Sequence, residues 1–62
     1  METAVRRIKR RLEREDWYLQ RHGSSHDIYR HPSVSGIIVV PRHRTVSPGV
    51  ARSIAKKAGW KE

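Results

Sequence analysis

The sequence predicts a two-layer α+β fold of order α-β-β-β-α, a three-stranded antiparallel sheet with both helices on one face. Three observations predict it. Apolar residues recur at helical spacing near each end of the chain, the stretch from Trp17 to His22 alternates with period 2, and Ile37 to Val40 form an unbroken β-branched run. Residues 1–62 are read as a single domain, near the lower size limit for a self-sufficient core. With no cysteine, neither a disulfide nor a thiolate metal site can staple it.

The first helix is expected to start at Thr3, as its cap, and to run to about Glu15. Ala4, Val5, Ile8 and Leu12 then share one apolar arc. Arg7, Arg10 and Arg14 gather on the opposite side with Arg6 and Lys9 at the flanks, either as a solvated face or as a hold on phosphate or an acidic partner. In the first strand, Trp17 and Leu19 should face the helix, and Tyr18, Gln20 and His22 should face away. Gly23-Ser24-Ser25 is a hairpin-type loop. His26 to His31 is the second strand, with Ile28 and Tyr29 on opposite faces, and Pro32 stops it. Pro32 to Gly36 reads as a turn. Ile37 to Val40 is the third strand, ended by Pro41, and its continuous apolarity hides which side chains point inward.

Arg42-His43-Arg44-Thr45-Val46 is a basic loop. Ser47-Pro48-Gly49 opens the last helix, serine as cap and proline at the first helical position. Val50, Ala51, Ile54, Ala55 and Ala58 should share the inner face, with Arg52, Lys56 and Lys57 outside. Gly59 is the expected left-handed terminator, and Trp60 should fold back onto the core.

Charge narrows the function. Fourteen Lys and Arg against six Asp and Glu give 14 − 6 = +8, with a pI near 11.2. From Trp17 to Lys61 the only acid is Asp27. Such an excess points to a polyanionic partner, most simply nucleic acid. No apolar run approaches the ~20 residues that cross a bilayer, and the basic start is not followed by the apolar stretch of a secretory signal, so a cytoplasmic location is expected.

Three of the four histidines fall between His22 and Pro32. His22 and His26 stand four apart, a metal-binding spacing on a helix, but Gly23-Ser24-Ser25 between them breaks any helix, and no metal is expected. His26 differs from an ordinary surface histidine by position. It stands where a turn re-enters the sheet, held by a ladder yet open to solvent, as a proton-transfer group needs.

Taken in order, Ser25-His26, Ile28-Tyr29-Arg30-His31-Pro32, Val40-Pro41-Arg42-His43, Ser47-Pro48-Gly49, Arg52-Ser53-Ile54 and Ala58-Gly59 resemble the HicA toxin family over nearly the whole chain. The resemblance implies a double-stranded-RNA-binding-domain-like fold. It also implies an mRNA interferase of a type II toxin–antitoxin system, held inactive by a HicB-type antitoxin, with an essential histidine that falls on His26. Two departures stand out: an extra serine before His26, and Asp27 where the family often has a second histidine, which would bear on the pKa of His26.

The chemistry expected is metal-free and cofactor-free cleavage of RNA. His26 acts as general acid or base, and Arg30 and Arg42 are candidate phosphate clamps. Ser24 and Ser25 supply donors to a phosphate oxygen. Arg21, His43 and Lys56 are further candidate RNA contacts. The second proton-transfer group is open between His22 and His43, and Tyr18 or Tyr29, whichever faces outward, could stack on a base. Two other readings stay open: a non-catalytic RNA- or DNA-binding module, and a small basic structural protein such as a ribosomal component.

Overall fold

The structure, a computed structural model, describes residues 1–61. Helix α1 spans Val5–Arg14, strands β1, β2 and β3 span Tyr18–His22, His26–His31 and Val34–Pro41, and helix α2 spans Pro48–Ala58. The strands form one antiparallel sheet in the order β1-β2-β3. The α-β-β-β-α order is therefore the one expected from the apolar periodicity.

Both helices bury their apolar stripes against the same sheet face. Val5, Ile8 and Leu12 of α1 and Ala51 and Ile54 of α2 join Trp17, Tyr29, Ile38, Val40 and Val46 in one core. In β3 the question of facing resolves by register: Ile38 and Val40 pair with Tyr29 and Asp27 on the inner face, while Val39 pairs with Ile28 on the open one. Tyr29 is thus a core residue. Its hydroxyl is pushed up to about 12, first by burial and then by the charges of Glu13 and Asp27, so it carries its proton throughout the neutral range.

Both helices end in the same device. Asp16 and Gly59 adopt left-handed backbone conformations (φ 73° and 78°). After α1 the Trp17 N–H donates to the Leu12 carbonyl, and after α2 the Trp60 N–H donates to the Ala55 carbonyl, which satisfies carbonyls the helix leaves open. Ser47 caps α2 by accepting from the Val50 N–H at 3.2 Å. Trp60 does fold back: its indole N–H donates to Glu15 at 2.6 Å, and the Arg11 guanidinium lies 4.2 Å from its ring centre.

Five expectations are corrected. Thr3 is not the cap of α1; Ala4 holds that position without a side-chain hydrogen bond, and the Thr3 carbonyl instead accepts from Val46 N–H. The turn after β2 is only Pro32-Ser33, and β3 begins at Val34. Leu19 pairs with Tyr29 on the helix side but is 46% exposed, because β1 is an edge strand that the helices do not cover. Val50, at the start of α2, is exposed rather than inward. His22 faces the helix side, not away from it. The ladder shifts between Leu19 and Arg21, so Gln20 and Arg21 together oppose Ile28, and this bulge returns His22 to the face of Leu19 and Asp27.

Candidate active site

The segment from Gly23 to His26 is a tight reversal closed by its own backbone. Gly23 N–H donates to the His26 carbonyl at 2.9 Å. A β-carbon at position 23 would sit 2.5 Å from that carbonyl oxygen, so only glycine fits without moving the loop. Gly23→Ala is accordingly expected to cost about 1–3 kcal/mol in thermal or urea unfolding. A variant as stable as the parent would show that the loop adapts freely.

Arg42 clamps the same loop from the end of β3. Its backbone N–H donates to the Ser25 carbonyl and its Nη1 donates to the Gly23 carbonyl, both at 3.0 Å. His26 pairs with Pro41 across β2 and β3, which fixes its backbone, while its side chain is exposed. Ser25 Oγ lies 3.2 Å from His26 Nδ1. A histidine on a braced backbone, open to solvent and beside a guanidinium, is an arrangement suited to proton transfer at an anionic substrate.

Directly behind the loop, on the inner face, lies a network that sequence reasoning does not anticipate. Asp27 is 1% exposed, the only buried charged side chain among the described residues. Lys9 Nζ of α1 donates to its Oδ2 at 2.6 Å. Its Oδ1 lies 2.8 Å from His22 Nδ1, an ionic contact when the imidazole is protonated and not an aligned hydrogen bond. Burial alone would raise the Asp27 pKa. The Lys9 hydrogen bond and charge, with the charges of His22 and Arg42, outweigh it and hold the carboxyl below its usual range. The Asp27 carboxylate therefore serves Lys9 and His22 on the inner face, not His26. A signal for this exists in the sequence: Asp27 stands two residues from Tyr29 on β2, hence on the same face.

The other expected residues divide. Ser24, Ser25, Arg42 and His43 flank His26 at one end of the sheet. Arg21 pairs with Ile28, and Arg30 with Tyr18, on the open face that His26 shares. Arg30 is half-buried, its Nε is buried with no hydrogen-bond partner, and it forms no ion pair with an acid among the described residues. Tyr18 is 50% exposed on that face and is the tyrosine free to stack.

Lys56 is not brought to the site. It lines a hollow with Met1, Arg52, Ala55 and Trp60, and Trp60 is tied to Glu15, whose carbonyl meets His31 at the far end of β2. His31 is likewise structural. Its Nδ1 accepts from Ser33 N–H at 3.0 Å, so its Nε2 carries the proton and donates to the Glu15 carbonyl at 2.9 Å. The ring also packs edge-on against Trp17.

Among the described residues, no three of His, Cys, Asp or Glu gather to hold a metal ion. No helix is long and apolar enough to cross a membrane.

Comparison with known proteins adds the lineage. No curated protein matches the chain. A family model described as the HicA toxin of bacterial toxin-antitoxin matches residues 5–60, which covers both helices, the sheet and the His26 loop. The chain belongs to the HicA toxin family of toxin–antitoxin systems, a toxin whose family implies an antitoxin partner.

Proposed function

We propose that this toxin is a metal-independent endoribonuclease that cuts mRNA through His26 and is neutralised by a HicB-type antitoxin. The observation that carries the reading is the exposed His26 imidazole on a loop braced by Arg42 and Gly23, with the Ser25 hydroxyl 3.2 Å from its Nδ1.

RNA brings its own nucleophile. One group removes the 2′-OH proton as that oxygen bonds to phosphorus, and another protonates the 5′-oxygen as the P–O5′ bond breaks. His26 takes one of these roles. The other role is open between His22, which faces the helix side of the sheet, and His43, which follows Arg42. The Arg30 and Arg42 guanidiniums and the Ser24 and Ser25 donors would stabilise the phosphorane charge. Tyr18 would stack on a base of a single strand lying across the open face, beside Arg21 and Arg30. Lys56, remote from this end of the sheet, is left out of that surface.

An antitoxin that is acidic where it docks would cover His26 and these cations together, and charge complementarity would speed its arrival. The test is incubation of the purified protein with single-stranded RNA in EDTA across a salt series. Cleavage is expected without divalent metal, with apparent affinity falling steeply as salt rises; about three phosphate contacts would give a log–log slope near −2. A mobility shift with intact RNA would instead mean a non-catalytic binding module.

A further inference from the structure

Behind the His26 loop an open groove of about 610 Å³ runs between the start of α1 and the loop after β3, lined by Ala4, Val5, Arg6, Lys9, His43 and Arg44. We propose that this groove is a nucleotide subsite, holding the phosphate and sugar of the RNA strand next to the bond cut at His26; the proposal rests on the RNA reading of that site.

Charge is the first argument. Arg6, Lys9 and Arg44 are fixed cations, and no acid lines the groove. Lys9 is committed to Asp27. Neither Arg6 nor Arg44 has an ion pair or side-chain hydrogen bond among the described residues, so both guanidiniums remain available to an incoming anion. The basic hollow on the outer side of α1 differs: Glu2 is part of its lining, Arg7 lies 3.6 Å from Glu2, and Arg11 lies 3.2 Å from Glu15.

Shape is the second argument. The floor is apolar, from Ala4 and Val5, which suits the hydrophobic face of a ribose or base between charged walls.

Continuity is the third. His43 follows Arg42, which grips the His26 loop at two carbonyls, and the opposite wall carries Lys9, which holds Asp27 behind that loop. His26 pairs with Pro41, two residues before His43, so the Cα atoms of His26 and His43 lie within about 13 Å, a span of roughly two nucleotides. The anchoring of α1 to this loop, through Val5 N–H to the Arg44 carbonyl at 3.0 Å and the Ala4–Thr45 bridge, makes the groove a standing feature of the fold.

The experiment uses a fluorescent 2′-O-methyl hexanucleotide, which lacks the nucleophilic hydroxyl and so reports binding apart from cleavage. The double variant Arg6→Ala/Arg44→Ala should bind it about tenfold more weakly, with a salt slope shallower by about 1.4, the loss of two phosphate contacts. Arg52→Ala/Lys57→Ala, which removes the same charge from the exposed side of α2, should weaken binding less than about threefold. Equal losses in the two double variants, or none in the first, would overturn the subsite. So would loss of affinity for a polyglutamate peptide with oligonucleotide binding unchanged, which would assign the groove to an acidic protein partner. Should the groove variants lose oligonucleotide affinity while the parent protein leaves ordinary RNA uncut, the subsite stands and the nuclease reading fails.

Discussion

His26→Ala is expected to lower RNA cleavage by about 10²–10⁴-fold, the range a positioned acid–base group supplies. The fold should be unaffected. The side chain is exposed, its one side-chain polar contact among the described residues is the 3.2 Å approach of Ser25 Oγ, and the loop is closed by backbone groups of Gly23, Ser25 and His26 that alanine retains. The unfolding midpoint and far-ultraviolet circular dichroism should therefore match those of the parent while single-turnover cleavage is lost. Binding of an uncleavable oligonucleotide should persist, because the surrounding cations are untouched. Cleavage that survives the substitution would remove His26 from the chemistry.

Asp27→Asn should have the largest effect on stability. The replacement keeps the shape but removes a buried charge that the partly exposed Lys9 and the exposed His22 both contact. Breaking a fully buried ion pair costs ~3–5 kcal/mol. Lys9 keeps part of its side chain in water, which moves the expected loss to about 2–3 kcal/mol. For a domain of this size that is a fall of roughly 10–20 °C in the unfolding midpoint.

The pH dependence follows from the sign of the shift. The folded-state pKa of Asp27 lies below its reference value of 3.8, so the unfolded chain takes up the proton first as pH falls. The stabilisation is complete well above pH 3.8 and disappears as pH drops through the depressed folded value. Parent stability should thus decline steeply on the acid side, and the Asp27→Asn variant should show a shallower acid limb. Parallel acid limbs in the two proteins would mean that this carboxylate does not carry the linkage.

What is legible in the chain, and what is not, follows from how local each signal is. The β2 boundaries, the Ser47 cap, the Gly59 terminator and the inner stripe Val5, Ile8 and Leu12 depend on spacing within a few residues, and they stand in the structure as read. Alternation puts His22 on the wrong face because a bulge at Gln20 is a property of two paired strands, and no residue in β1 announces it. Alternation also sends Leu19 to the core, since it records which face a residue takes and not whether a helix reaches that edge. Asp27 reads as one more polar strand residue. Its burial depends on Lys9, eighteen positions earlier, arriving over it from α1.

At the candidate site, the exposed position of His26 follows from the turn before it, and Ser24, Ser25, Arg42 and His43 do gather around it. Lys56 is a candidate on charge alone, and charge carries no information about which end of the sheet a helix residue overlies. His31 looks like its neighbours in a histidine-rich run, yet two hydrogen bonds to backbone groups commit it to the fold.

The most direct measurement is the chemical identity of the RNA ends produced by the purified toxin in EDTA. Attack by the 2′-hydroxyl with proton transfer through His26 leaves a 2′,3′-cyclic phosphate and a 5′-hydroxyl, and those are the expected ends. Fragments bearing a 5′-phosphate and a 3′-hydroxyl would mean that water, not the ribose, attacks phosphorus, which contradicts proton transfer between His26 and a ribose hydroxyl.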